Sequence, residues 1–186
     1  MGSDCTIPFL GPLAHVSDKL YNNGMIVARA NSGPLLLLVD DSEMIRRTVR
    51  RQLRDGLMDG GPAEERRRSL AAQEDGPALF HTEFIEAADG KEALRILTGR
   101  AQACLSLPDL IISDLDMAPG MGGEEFIGEI RALPSLRAIP VVLCSGEHDV
   151  HERAARLEVL SFRKGDNPRG LLGIVRAALK ALSVVA

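Results

Sequence analysis

From Pro34 onward the chain alternates short continuous apolar runs with longer segments whose apolar residues recur every three or four positions. A run of four or five apolar residues bounded by acids or breakers predicts a strand buried on both faces, and the longer spacing predicts an amphipathic helix. LLLLV, residues 35–39, is the first run; Asp40-Asp41 follow it, and Ser42 can then cap a helix carrying Ile45, Val49 and Leu53 at i, i+4 and i+8. A second strand is predicted over 79–87, after which Asp89-Gly90 turns into a helix holding Ala93, Leu94 and Leu97 and stopping at Gly99. Leu110, Ile111 and Ile112 make the third strand, and the helix after Gly122-Gly123 turns Phe126, Ile127 and Ile130 inward before ending ahead of Pro134. Residues 139–144 (IPVVLC) form the fourth strand, followed by a helix over 150–160 and a short strand over 161–163. A last helix opens at Asn167-Pro168 and buries Leu171, Leu172, Val175 and Leu179. Strands and helices in strict alternation predict an α/β fold, a doubly wound five-stranded parallel sheet with helices on both faces.

Two stretches fall outside this rhythm. Residues 1–33 hold several breakers (Pro8, Gly11-Pro12, Asn22-Asn23-Gly24, Gly33-Pro34) and read as an arm or tail, its first residues not necessarily native, with at best a helical turn within 16–20. The opening MGSDCT matches the acylation pattern at Gly2 and Thr6, a short match for which chance is the better account. Residues 58–77, bracketed by Gly60-Gly61-Pro62 and Gly76-Pro77, read as an insertion into the domain spanning 34–186. Their Arg66 to Arg68 run is neutralised by Glu64, Glu65, Glu74 and Asp75, as in a solvated loop.

Composition narrows the function classes. The 186 residues, 45% hydrophobic and 26% charged, suit one globular domain. A net charge of -4 gives no electrostatic case for nucleic acid or an anionic membrane, and no apolar run is long enough to span a bilayer. With no basic-then-apolar leader and with Cys5, Cys104 and Cys144 scattered without metal spacing, the expectation is a cytoplasmic protein with reduced thiols.

The chemistry gathers where the predicted strands end. Asp40 and Asp41 follow the first, Asp114 and Asp116 the third, Ser145 the fourth and Lys164 the fifth. Two residues apart on a strand, Asp114 and Asp116 would point the same way, toward the carboxyl edge where doubly wound sheets hold ligands. Carboxylates brought together there repel one another and call for a cation; an all-oxygen set suits Mg²⁺ or Mn²⁺. An acidic metal pocket beside a hydroxyl and an ammonium suits phosphoryl transfer, with Asp114 as nucleophile and Ser145 and Lys164 binding phosphoryl oxygens. Glu147 to Glu152, with His148 and His151 at i and i+3, read as a solvated acidic helix start rather than a second metal site.

The motifs DDS, PDLIISDLDM, IPVVLCSG and FRKG, in this order over residues 34–184, resemble the response-regulator receiver domains of two-component signalling. The resemblance implies a flavodoxin-like sheet of order 2-1-3-4-5 and makes Asp114 the phosphoacceptor. It makes Asp41 a direct Mg²⁺ ligand, Asp40 an acid acting through metal-bound water, and the Asp116 carbonyl a further ligand. Ser145 becomes the switch hydroxyl and Lys164 the lysine that pairs with the phosphoryl group. It implies a stand-alone signalling domain rather than an enzyme, a monomer or weak homodimer taking its phosphoryl group from a histidine kinase or histidine phosphotransfer protein. The downstream partner would be a protein that the sequence does not name.

Departures from the family pattern are equally specific. Ala118 stands where receivers carry proline, with Pro119 following, and Gly165 stands where many carry a cis proline. The step from Ser145 to Lys164 is short, which predicts a trimmed fourth helix. The switch aromatic is replaced by Ser161, with Phe162 at the next, inward position. Two other readings stay open: a pseudo-receiver that keeps the fold without the switch, and a haloacid-dehalogenase-type phosphatase using Asp114-Leu115-Asp116.

Overall fold

The computed structural model describes residues 19–21, 24–26, 33–55 and 82–184. The insertion at 58–77 and the opening motif lie outside the described residues. Within the arm, β1 (Lys19–Tyr21) pairs antiparallel with β2 (Gly24–Ile26), Lys19 opposite Ile26 and Tyr21 opposite Gly24. Lys19 and Leu20 are therefore in a strand and not in the helical turn expected over 16–20. The Asn22-Asn23-Gly24 sequence, taken above as a breaker, is also a hairpin signal.

The main sheet is built from β3 (Leu35–Val39), β4 (Glu83–Ala87), β5 (Leu110–Asp114), β6 (Val141–Ser145) and β7 (Leu160–Arg163). All pairings are parallel, in the order β4-β3-β5-β6-β7, which is 2-1-3-4-5 counted from β3. Between the strands run α1 (Glu43–Asp55), α2 (Gly90–Gln102), α3 (Gly123–Ala132) and α4 (Val150–Arg156), and α5 (Pro168–Val184) closes the chain.

Continuous apolar runs are explained by the two cores they serve. Leu37, Val39, Ile111 and Leu143 turn to one face and pack with Ala93 and Leu97 of α2, Phe126, Ile127 and Ile130 of α3, and Val150 and Ala154 of α4. Leu36, Leu38, Ile112, Val142 and Phe162 turn to the other, against Leu53 of α1 and Leu171, Val175 and Leu179 of α5. Each fully buried aliphatic or aromatic side chain here contributes roughly 1.5–3 kcal/mol relative to exposure, so alternation across the sheet sets its register. The doubly wound architecture expected from the sequence is the one observed.

Several boundaries differ for identifiable reasons. α2 runs through Gly99 to Gln102, because its left-handed cap is Cys104 (φ 52), whose N–H bonds the Ala101 carbonyl while Leu105 N–H bonds that of Arg100. α4 stops at Arg156 rather than 160: Glu158 takes φ 54, and the Glu158 and Val159 N–H groups close back on Ala155 and Ala154. Non-glycine residues at both caps left no sequence signal. β4 begins only at Glu83 and β6 at Val141, whereas β7 starts one residue early at Leu160.

One glycine fixes how β5 leads into α3. Gly123 N–H bonds the Leu115 carbonyl at 2.8 Å, and a Cβ on Gly123 would lie 2.2 Å from the Asp114 carbonyl oxygen. Gly128 in the same helix has nothing within 4 Å of its missing Cβ. We expect Gly123→Ala to destabilise by about 1–3 kcal/mol through overpacking. Gly128→Ala should stabilise by about 0.8–1 kcal/mol through helix propensity. Urea midpoints of the two variants check both signs, and equal midpoints would count against the close approach.

Candidate functional site

The order reverses at β3, which has β4 on one side and β5 on the other, and this is where an open α/β sheet forms its crevice. Val39 and Ser113 are register partners, so the residues that follow them, Asp40 and Asp114, emerge side by side. Carboxylate oxygens of Asp40, Asp41 and Asp114 all lie within 4.8 Å of one another, the only such group of possible metal ligands among the described residues. Asp40 and Asp114 are buried and Asp41 is exposed.

Lys164 reaches into this group from the end of β7. Its Nζ donates to Asp40 Oδ2 and to Asp114 Oδ2, each at 2.8 Å. Its backbone N–H donates to the Ser145 carbonyl at 2.7 Å, so β6 positions the lysine that β7 delivers. Gly165, at φ 100, lets the chain turn away where many receivers use proline. The remaining oxygens of the two buried acids are also held: Asp40 Oδ1 accepts from Ser42 N–H at 2.9 Å, and Asp114 Oδ1 from Leu115 N–H at 2.7 Å. Ser42 Oγ in turn accepts from Ile45 N–H at 3.4 Å, the expected cap of α1.

Burial pushes the Asp114 carboxyl up, against the hydrogen bond and charge of Lys164 that pull it down. Burial also opposes the charge on Lys164, but the bonds to Asp114 and Asp40 outweigh it and hold the ammonium above its ordinary value. The Cys144 thiol, desolvated beside them, is pushed up to about 12 and behaves as a small apolar core group.

Three carboxylates facing one ammonium leave surplus negative charge. Asp41 makes no hydrogen bond to another described residue, and each carboxylate can accept more bonds than Asp40 and Asp114 make here. The donor set is all oxygen and anionic, which fits a hard divalent cation.

Asp116 requires a correction. β5 ends at Asp114, so strand alternation does not extend to Asp116; its side chain is exposed and stands outside the carboxylate group. Its charge instead contributes to raising the Arg153 guanidinium, which is dominated by a two-pronged bond to Glu124 of α3 at 2.8 Å on each oxygen. Ser145 is buried, and its Oγ accepts from Glu147 N–H at 3.1 Å, leaving its proton able to be donated elsewhere. His148 and His151 do not pair: His148 lies 3.3 Å from Arg163, and His151 Nδ1 is 2.8 Å from Ser161 Oγ. Ser161 thus faces α4, and Phe162 is buried in the core under α1 and α5, as the alternation of β7 predicts.

Sequence reading missed Arg46, which donates to the Asp40 carbonyl and to Glu86 at 3.2 Å, and Arg50, which joins the same glutamate at 2.8 Å. An arginine-rich α1 was visible, but a partner forty residues away was not.

No family model matches the chain, and no curated protein does. Solved structures do. The Vibrio cholerae chemotaxis protein CheY4 is 26% identical with a TM-score of 0.53, covering 77% of this chain and 97% of its own. The phosphorylated cyanobacterial phytochrome response regulator RcpA is 25% identical at 0.55, covering 81% and 91%. The Mn²⁺-bound form of response regulator Rcp1 is 26% identical at 0.51, covering 77% and 90%. The fold is that of a response-regulator receiver domain. Receiver domains are signalling domains rather than classical enzymes.

The Lys164 bridge has a stability consequence. Removing it with Lys164→Met strands two buried acids, and we expect a loss of roughly 3 kcal/mol at pH 7 in chelator. Asp114 is raised in the folded state, so protonating it favours folding, and the loss should shrink as pH falls through its folded value. Lys164 is also raised, so its own contribution in the native protein is complete below its ordinary value and fades only at alkaline pH above it. Denaturant titrations of both proteins at several pH values test this; a deficit that grows in acid would refute the charge account.

Proposed function

We propose that residues 34–186 act as a phospho-switch, with Asp114 taking a phosphoryl group from a histidine kinase or histidine phosphotransfer protein. The observation that carries this reading is Lys164 bridging Asp40 and Asp114 beside the third carboxylate, Asp41. An Asp114 oxygen attacks phosphorus as the bond to the donor imidazole breaks, and the imidazole nitrogen takes up a proton. Asp114 is buried but reachable, and its oxygens are oriented by Lys164 and by Leu115 N–H before transfer. Lys164 then follows the new negative charge onto the phosphoryl oxygens, and the Ser145 hydroxyl donates its proton to another. Mg²⁺, or Mn²⁺ in its place, would be held by Asp41, Asp114 and the Asp116 carbonyl, with Asp40 acting through water, and would neutralise charge between the carboxylate and the phosphoryl group.

Among the described residues no helix is long and apolar enough to cross a membrane. We place the protein in the cytoplasm, as a monomer or weak homodimer whose downstream partner is another protein.

Incubation with a small phosphodonor and Mg²⁺ should add one phosphoryl mass to the intact protein. Asp114→Asn, Asp41→Ala or chelator should each abolish the addition. Steady release of phosphate from many substrate equivalents would favour the dehalogenase-type hydrolase, and no addition at all would favour a pseudo-receiver.

A second observation shapes how the switch would be read. Ser161 is too small to plug the space a moving Ser145 would vacate, and it is already bonded to His151; Phe162 belongs to the opposite core. The conformational response therefore rests on the loops after Asp114 and Ser145. Hydrogen exchange with beryllofluoride should change chiefly at 115–123 and 145–152. Large changes throughout 157–172 would show that β7 and α5 carry the response instead.

A further inference from the structure

α1 seats its apolar stripe unevenly. Leu53 is buried and Val49 packs on the core, but Ile45 faces a cavity of about 440 Å³ between α1, α5 and the carboxyl ends of the strands. That volume lies within the range of small-molecule sites, roughly 300–1,000 Å³. Its walls are Leu38, Ile45, Val49, Ile112, Phe162 and Leu171, and Met44, 75% exposed, stands at the lining as an unusually bare large apolar residue. Methionine is the side chain best able to close over ligands of differing shape.

The polar groups lining the cavity are nearly all committed. Asp40 and Asp114 are held by Lys164, Arg46 by Glu86, Asp166 by Arg163 at 3.0 Å, and Thr48 Oγ1 donates to the Met44 carbonyl at 2.8 Å. The exception is Gln52, which lines the cavity and makes no hydrogen bond to another described residue. An anion would meet Asp40 and Asp114. A cation would be drawn to Asp40 and Asp114 at the carboxylate end and away from the apolar walls, where Lys164 and Arg46 repel it. Neither finds a counter-charge along the apolar walls, while Gln52 offers both a donor and an acceptor.

We propose that this cavity is a second binding site, for a neutral and mainly apolar small molecule with a single hydrogen-bonding group, which Gln52 holds. The site is distinct in chemistry from the carboxylate cluster, although Lys164 and Asp114 form part of its wall. The proposal does not depend on phosphoryl transfer.

Methyl-labelled protein in excess Mg²⁺ is titrated with benzyl alcohol, benzoate and benzylamine, three ligands of one ring size and different charge. Benzyl alcohol should give saturable shifts at the Ile45, Val49, Ile112 and Leu171 methyls. Benzoate and benzylamine should bind about tenfold or more weakly, because each must bury an unmatched charge. Val49→Phe and Ile45→Phe, which fill the cavity from α1, should abolish the shifts while preserving the remaining spectrum; Gln52→Leu should weaken benzyl alcohol but not toluene. Absence of saturable shifts in the native protein overturns the proposal. So does equal binding of all three ligands, or benzyl alcohol binding that survives in a folded cavity-filled variant.

Discussion

Two buried carboxylates side by side at the end of a sheet are the constraint on which the rest of this structure depends. Within 4.8 Å of each other, two such charges repel by about 3.5 kcal/mol or more at the effective dielectric of protein sites. That is a large share of the stability of a domain this size. Lys164 offsets it, and much of the architecture exists to deliver one ammonium to one point. β7 must pair with β6 in the observed register, the Ser145 carbonyl must hold the lysine backbone, and Gly165 must release the chain toward α5. The residue that pairs with the buried acids is thus the last of the site residues in the sequence, and the site is complete only once β3, β5, β6 and β7 are in place.

The two faces of the sheet then carry different kinds of restraint. Under α2, α3 and α4 the core gathers aliphatic side chains around Phe126, and α4 is tied from both sides, by Arg153 to Glu124 and by His151 to Ser161. Under α1 and α5 packing is incomplete near the carboxyl edge, and ion pairs hold what apolar contact does not. The two layers thus differ at the carboxyl edge: charge pairs tie α4 on one side, and a cavity lies under α1 on the other.

Much of this was legible because burial on both faces writes itself as unbroken apolar runs: Leu35 to Val39 and Leu110 to Ile112 announced strands, and the acids after them announced the edge. Asp40, Asp41, Asp114 and Lys164 come together as their places at the ends of strands in a doubly wound sheet implied. What was not legible depended on backbone choices that composition does not record. Cys104 and Glu158 take left-handed conformations without being glycine, so the ends of α2 and α4 were misplaced. Asp116 was read as a strand residue because nothing in DLDM marks where pairing stops. Arg46 and Arg50 gave no hint of Glu86, since long-range charge pairs leave no periodic trace.

That last pairing bears on how the edge of the sheet is held. Arg46 and Arg50 grip Glu86 of β4, and Arg54 lies 5.4 Å from the centre of the Phe84 ring, so the end of α1 and the strand that follows are fastened to each other directly. The connection across residues 56–81 does not have to hold them together. The edge strand β4, whose one strand neighbour is β3, is accordingly held by α1 as well as by the sheet.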